Sequence, residues 1–354
     1  LKSSGRKSYG QLAKQWGEEV MRGIYQEMAA GVDTVNSLIG EGIDCDRQSA
    51  GYIKVAHKPN KLKELVELAK LQQKMFGYDV EILSQAEVRQ QYMDDRNAYG
   101  AIRYQDGFGL NPLKLAWGYQ KLARQAGAKV HCASPVTQWL SGDNKQKLHT
   151  PNGIVSAQKV VIATNGYTPK GFHDLTTDRT LPVLSQIIVT EPLNEAQLAA
   201  CNFLTSNVVM DTRALKYYYD NRILFGGRGA ITGKSAEDPY YAQRLLSVLK
   251  SSFPALSNIN YSYAWSGWIC MALDDLPHIY QNDEKSVFYS MGYCGSGVSF
   301  SVQAGKRLAE KVAEKPVPDL PLYNKALPKF PFAPLRRVGQ WGYFHYGKVK
   351  DQWF

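Results

Sequence analysis

Three glycines fall within six residues in the run GYCGSG at 292–297, between an apolar stretch at 286–291 and a helical pattern at about 298–313. A buried strand that turns on glycine into a helix brings bare backbone N–H groups and the positive end of a helix to one spot. Such a spot suits negative charge, whether a phosphate or the N1–C2=O edge of a reduced flavin. The competing reading is a tight turn that needs glycine only for its backbone angles. A second spot of this kind is KVVIAT at 159–164, a continuous apolar run that stops at Asn165-Gly166-Tyr167. It reads as a strand buried on both faces, and the carboxyl ends of such strands are where α/β folds hold nucleotides. An ordinary Asn-Gly surface turn would look the same.

Other chemistries find little support. The six histidines (His57, His131, His149, His173, His278 and His345) make no metal-spaced pair, so no metal site is expected. No GxSxG run is present, which argues against a hydrolase of that type. The five cysteines are odd in number and far apart, without a CxxC pair. That pattern suits neither a disulfide framework nor zinc and points to a reducing cytoplasm.

The elements that must position the two spots follow from periodicity. Apolar residues every three or four positions predict one helix from about 10 to 40, starting at Leu12, Trp16, Val20 and Ile24. A strand at 51–56, a helix near 61–75, a strand at 99–105 and a turn at 106–109 come next. Asn111 and Pro112 open a helix that runs to Gly127. A small β-meander covers 128–140, 145–150 and 153–156. Strands at 185–191, 215–219 and 222–228 precede a helix at about 240–253. After Lys315 the prolines at 316, 318, 321, 328, 331 and 334 predict an extended surface strap.

The chain has 354 residues, 44% hydrophobic and 21% charged, which excludes a disordered chain or a fibre. Its net charge is +10, but the basic residues form no block of five, so nucleic acid is not an expected partner. No apolar run reaches the ~18 residues of a membrane span. The tail from Leu335 to Phe354 mixes four basic residues with Trp341, Tyr343, Phe344, Trp353 and Phe354, as segments lying on membranes do. Packing of these aromatics on the chain's own core is the favoured alternative.

Taken in order, VVIATNGYT, TEPL (190–193), ILFGGRG (223–229), DDLPHI (274–279) and GYCGSGV resemble the FAD-dependent amine oxidoreductases of the glycine, sarcosine and D-amino-acid oxidase superfamily. The bacterial gamma-glutamylputrescine oxidoreductase group is the best match. EGIDCD (41–46), GYIKVA (51–56), GFGLNPLK (107–114) and PFAPLRRVGQW (331–341) also look like that group. The resemblance covers nearly the whole chain. It implies a mixed α/β fold with a glutathione-reductase-like Rossmann lobe at about 1–45, 107–180 and 285–315. A mixed-sheet substrate lobe would occupy about 46–106 and 181–284, with 316–354 as the strap.

The resemblance also assigns roles. Non-covalent FAD would meet Gly5, Arg6, Val136, Ala163, Thr164, Asn165 and Gly166, with Gly295, Ser296, Gly297 and Val298 at the flavin ring. Arg228, Trp268 and Asp275 would border the cavity that takes a small amine, with Tyr217–Tyr219 and Trp265 as further wall candidates. Two departures stand out. The strand–GxGxxG–helix unit of such proteins is not in this sequence, whose SSGRKSYGQ start resembles the loop after it. Residues 1–354 alone are therefore expected to be poorly soluble and to purify without FAD, and a non-catalytic remnant is one alternative function. The oxygen-activating lysine of sarcosine oxidases is also missing from the strand resembling 222–228, so slow reoxidation by oxygen is expected. A membrane-peripheral amine dehydrogenase is the other alternative. The sequence gives no oligomeric state.

Overall fold

In the computed structural model, all residues are described except 3, 143–144, 206, 213–215, 220 and 354, and the side chains of 216–219 and 348–353. The chain divides into two compact units. Unit 1 is Leu1–Asp46, Leu110–Pro182 and Ile269–Arg336; unit 2 is Arg47–Gly109, Val183–Trp268 and Arg337–Phe354. Residues 269–284, expected with the substrate lobe, belong to unit 1.

Unit 1 is organised around the strand Val287–Met291, every residue of which is buried. It pairs antiparallel with His278–Gln281 and parallel with Val160–Ile162. The expectation that 159–164 is buried on both faces is corrected, because Val161 is 43% exposed while its neighbours Val160 and Ile162 are buried. Among the described residues Val160–Ile162 lies at the edge of its sheet, and no element covers the face that carries Val161. The meander is a separate antiparallel sheet of Gln138–Gly142, Lys145–Thr150 and Gly153–Ala157. Its first strand starts ten residues later than the sequence suggested, and Val136 lies in the segment before it.

Two helices pack beside that strand. The helix expected over 10–40 is broken: Tyr9–Trp16 ends at Gly17, whose φ of +86° interrupts the α-helical backbone, and Glu18–Gly40 follows. Glu18–Gly40 crosses Gly297–Val312 at Gly31. A Cβ there would lie 2.6 Å from the Ser299 carbonyl oxygen, so the close approach requires glycine. The crossing is pinned by buried Glu27. Its Oε2 accepts from Gln303 Nε2 (2.9 Å), Arg307 Nε (3.0 Å) and Tyr323 OH (2.5 Å), and its Oε1 from Arg307 Nη2 (2.7 Å). Burial alone would raise the Glu27 carboxyl, but the bonds from Arg307, Tyr323 and Gln303 outweigh it and hold the group below its ordinary value.

Unit 2 is built on an eight-stranded sheet. Its order is Tyr261–Met271, Leu181–Thr190, Ile223–Arg228, Lys216–Tyr219, Val208–Asp211, Ala50–Val55, Gly100–Phe108 and Glu81–Ser84. Ile53, Val55, Val209, Ile223, Phe225 and Ile188 share one core with Leu245, Leu246 and Leu249 of the helix Pro239–Ser252. Tyr52, Ala56, Ile102 and Tyr104 pack on Leu65 and Ala69 of the helix Pro59–Phe76. The predicted turn at 106–109 is corrected as well. The strand continues to Phe108, and the residues between Tyr104 and Phe108 form a bulge opposite Gly51, since Tyr52 pairs with Tyr104 and Ala50 with Phe108.

The segment after Lys315 is not simply an extended strap. Leu320, Leu322, Tyr323 and Leu327 are buried, and Arg336–Trp353 is an 18-residue helix. The prolines stop at 334, after which nothing opposes helical hydrogen bonding.

Candidate functional site

The glycine loop leaves Met291 with φ of +79° at Gly292, +51° at Cys294 and +91° at Gly295. It enters the helix Gly297–Val312 with Ser296 as N-cap. Ser296 is buried and donates its hydroxyl back to the Tyr293 carbonyl (2.7 Å), so its side chain does not cap the helix. The first N–H groups are therefore left to whatever approaches from outside. A Cβ at Gly295 would meet nothing within 4 Å, and neighbouring Val298 is exposed. Gly295, Ser296, Gly297 and Val298 thus form an open backbone cradle at a helix N-terminus. This fits the electron-rich edge of a flavin, and it favours the ligand reading over the bare turn.

Asn165 lies at the end of the edge strand in a short 3-10 turn with buried Gly166. Its Oδ1 accepts from Gly292 N at 3.2 Å, which ties the two sequence-predicted spots together. Ala163 and Thr164 are exposed beside it, and Thr164 Oγ1 is hydrogen-bonded to Thr168 Oγ1 at 2.7 Å. Val136 is half-buried, and no bond links it to Asn165. Near the start of the chain, Arg6 Nε pairs with Asp275 Oδ1 at 2.8 Å. A residue expected at the cofactor thus meets one expected at the cavity. Gly5, beside Arg6, lies next to Met28, whose Cε would be 3.7 Å from an added Cβ.

Asp275 is held in place by its neighbours. Asp274 accepts from the buried ring of His278 through both oxygens at 3.1 Å, and His278 Nδ1 meets the Lys325 carbonyl at 2.9 Å. Burial would raise the Asp274 carboxyl, but His278 outweighs it and keeps the group low. Behind the loop, Cys294 N donates to the Cys270 carbonyl at 3.0 Å. Burial pushes the Cys270 thiol up to about 11 and Cys294 up to about 12, so neither is a ready nucleophile.

Arg228 and Trp268 belong to unit 2. The Arg228 guanidinium lies over Phe344 at 5.7 Å, its carbonyl accepts from Arg244, and Arg337 stands over Trp268 at 5.4 Å. The helix Arg336–Trp353 therefore covers both candidates, which the sequence reading missed. The signal was present in the spacing of Arg337, Gln340, Phe344 and Gly347. Gln340 is buried, with Oε1 bound to Arg337 and Nε2 unpartnered. Trp265 is exposed, and the side chains of Tyr217–Tyr219 lie outside the described part. Among the described residues there is no group of three or more His, Cys, Asp or Glu that could hold a metal ion. Nor is any described helix long and apolar enough to cross a membrane.

Comparison with known proteins agrees with this geometry. The family described as "DAO: FAD dependent oxidoreductase" matches residues 2–311. The gamma-glutamylputrescine oxidoreductase of Escherichia coli is 30% identical over 305 residues, 84% of this chain and 70% of that protein. A probable oxidoreductase OrdL of Haemophilus influenzae is 29% identical over 309 residues, 84% of this chain and 69% of that protein. The glycine oxidase of Geobacillus kaustophilus has the same fold. Its structure matches with a TM-score of 0.73 at 18% identity, covering 87% of this chain and 84% of that one. The chain belongs to the DAO family of FAD dependent oxidoreductases, and FAD is its cofactor.

Proposed function

We propose that the chain oxidises the C–N bond of a small amine in the cytoplasm, with a gamma-glutamylputrescine-like conjugate as the preferred substrate. The observation that carries this reading is the open, uncapped cradle of Gly295–Val298 in a chain 30% identical to the E. coli gamma-glutamylputrescine oxidoreductase. Unit 1 is the FAD-binding part and unit 2 the substrate-binding part.

Bound FAD would supply the hydride acceptor for oxidation of the C–N bond to an imine, whose hydrolysis would give a carbonyl compound and a free amine. The N–H groups at the start of the helix Gly297–Val312 supply the positive potential that favours this transfer. Asn165 keeps the loop at its register through Gly292. Arg6 and Asp275 neutralise each other, so neither adds an uncompensated charge. Arg228 and Trp268 lie against the helix Arg336–Trp353, so neither is assigned a role toward the amine.

The test is substrate-dependent dye reduction by FAD-loaded protein, comparing gamma-glutamylputrescine, putrescine, glycine and sarcosine. The conjugate should give the highest kcat/KM. Turnover of glycine or sarcosine alone would overturn the substrate assignment, and an absence of turnover with all four would overturn the amine reading.

A further inference from the structure

We propose that Leu327 is a positioning residue for the FAD cradle, acting through the base of the glycine turn. It lies beyond residue 311, where the family match ends, in the segment that follows the helix Gly297–Val312. Its side chain is fully buried, in one cluster with Ala272, Tyr289, Met291 and Cys294. A Cβ added at Gly292 would lie 3.1 Å from Leu327 Cδ2, 3.1 Å from the Ala272 Cβ and 3.3 Å from the Leu276 carbonyl oxygen. Leu327 thus packs directly on the first residue of the turn, where any side chain at 292 would be crowded.

The backbone of Leu327 is fixed as well as its side chain. Its N–H donates to Tyr289 OH at 2.7 Å, and its carbonyl accepts from Arg179 Nη1. Tyr289 stands on the strand Val287–Met291, which runs straight into Gly292. The strand that enters the turn therefore also holds the residue that packs on the turn. Before Leu327, the Lys325 carbonyl meets His278 Nδ1 at 2.9 Å; after it, Phe330 N donates to the Asp178 carbonyl at 2.9 Å. These bonds tie the segment to unit 1 on both sides of Leu327.

Gly292 is where movement would matter. Its φ of +79° and the +91° of Gly295 belong to a backbone with few steric restraints of its own. The N–H groups of the turn keep their direction only if its base is held from outside. Asn165 Oδ1 holds the Gly292 N–H, and Cys294 Sγ donates to the Gly292 carbonyl at 3.1 Å. Leu327 adds the apolar contact. A cradle that works through aligned N–H dipoles weakens when they tilt, so truncating Leu327 reaches the cofactor without touching it.

The inference rests on the assignment of Gly295–Val298 to the flavin ring. The experiment compares the parent with Leu327→Ala, Leu327→Val, Leu327→Met and the control Leu322→Ala. Leu322 is equally buried in the same segment but is not a member of the cluster at the turn. Hydrogen exchange over 292–297 is followed by mass spectrometry with and without FAD, and the affinity and midpoint potential of bound FAD are measured. Thermal melting establishes which variants are folded, and Leu327→Val covers the case in which alanine is not tolerated. Leu327→Ala should speed exchange in the turn and weaken binding of oxidised FAD about tenfold. Reduced FAD, which carries the negative charge, should lose about tenfold more, a fall of about 30 mV in potential. Leu327→Val should shift both in the same direction by less, and Leu327→Met, of similar volume, should stay near the parent. Leu322→Ala should melt at a lower temperature with the turn and the potential unchanged. Equal effects of Leu327→Ala and Leu322→Ala overturn the proposal, as does a folded Leu327→Ala or Leu327→Val with parental exchange and potential. If FAD gives the parent's turn no protection, the cradle assignment itself fails, and the positioning role with it.

Discussion

Asn165 Oδ1 accepts a hydrogen bond from Gly292 N at 3.2 Å, joining the end of one strand to the glycine turn of its parallel partner. The two residues are 127 positions apart, and each ends one of the two runs whose chemistry was legible in the sequence. Asn165 itself has φ of +45°, a left-handed backbone that asparagine and glycine tolerate and branched residues do not. The side chain thus serves two needs at once, an unusual backbone angle and an acceptor for an N–H at the base of the cradle.

Replacing Asn165 separates those needs. Asn165→Gly keeps the backbone angle and loses the acceptor, and should cost about 1 kcal/mol of stability. Asn165→Val loses both and should cost about 1–3 kcal/mol more. FAD affinity should fall several-fold in the glycine variant, measured by quenching of flavin fluorescence. Unaltered affinity would mean that the bond does not set the register of the loop.

Gly31 gives a prediction about packing alone. A Cβ placed 2.6 Å from a backbone oxygen cannot be relieved by rotating a side chain, so the two helices must separate. Alanine gains about 1 kcal/mol of helix propensity over glycine, which offsets part of the strain. Gly31→Ala should still be destabilised by about 1–2 kcal/mol in denaturant titration, and Gly31→Val by more. Gly40→Ala, where nothing lies within 4 Å, is the matched control.

The readable parts of the sequence were those governed by local rules. Asn111 caps its helix through Leu113 N and Lys114 N, with Pro112 in the first turn, as their order predicts. The strand Val287–Met291 and the helix Gly297–Val312 were visible because one is mainly apolar and the other periodic. What periodicity could not carry was decided at a distance. Gly17 sits inside an apolar pattern that continues through it, so the break between two helices was hidden. The bulge before Phe108 depends on pairing with Ala50 and Tyr52, more than fifty residues away. Arg6 and Asp275, likewise, are joined only by the fold.

Acid should weaken unit 1 through Glu27. Its folded pKa lies below the ordinary 4.5, so its ion pair stabilises the fold above that value and is lost as pH falls through the depressed one. Glu27→Gln removes this contribution and should cost about 3 kcal/mol at neutral pH, the low end for a broken buried pair, because Arg307 keeps Glu310 at 2.8 Å. The difference in melting temperature between parent and variant should therefore be largest above pH 5 and shrink toward pH 3. A constant difference across that range would place the effect in packing and not in the charge.

Gly297→Asp tests the cradle's charge. A Cβ at Gly297 would come no closer than 3.6 Å to Tyr293, and an acidic residue in a helix's first turn is favourable, so the fold should hold. The carboxylate would, however, face the spot where reduced flavin carries negative charge. FAD binding should weaken, and the midpoint potential of bound FAD should fall by about 30 mV or more, or about 1.4 kcal/mol for a two-electron couple. Gly297→Asn has nearly the same shape without the charge and should leave the potential near that of the parent. If aspartate and asparagine shift it equally, the effect is steric. If neither shifts it while FAD remains bound, the flavin ring does not lie at Gly295–Val298 and the cradle assignment fails.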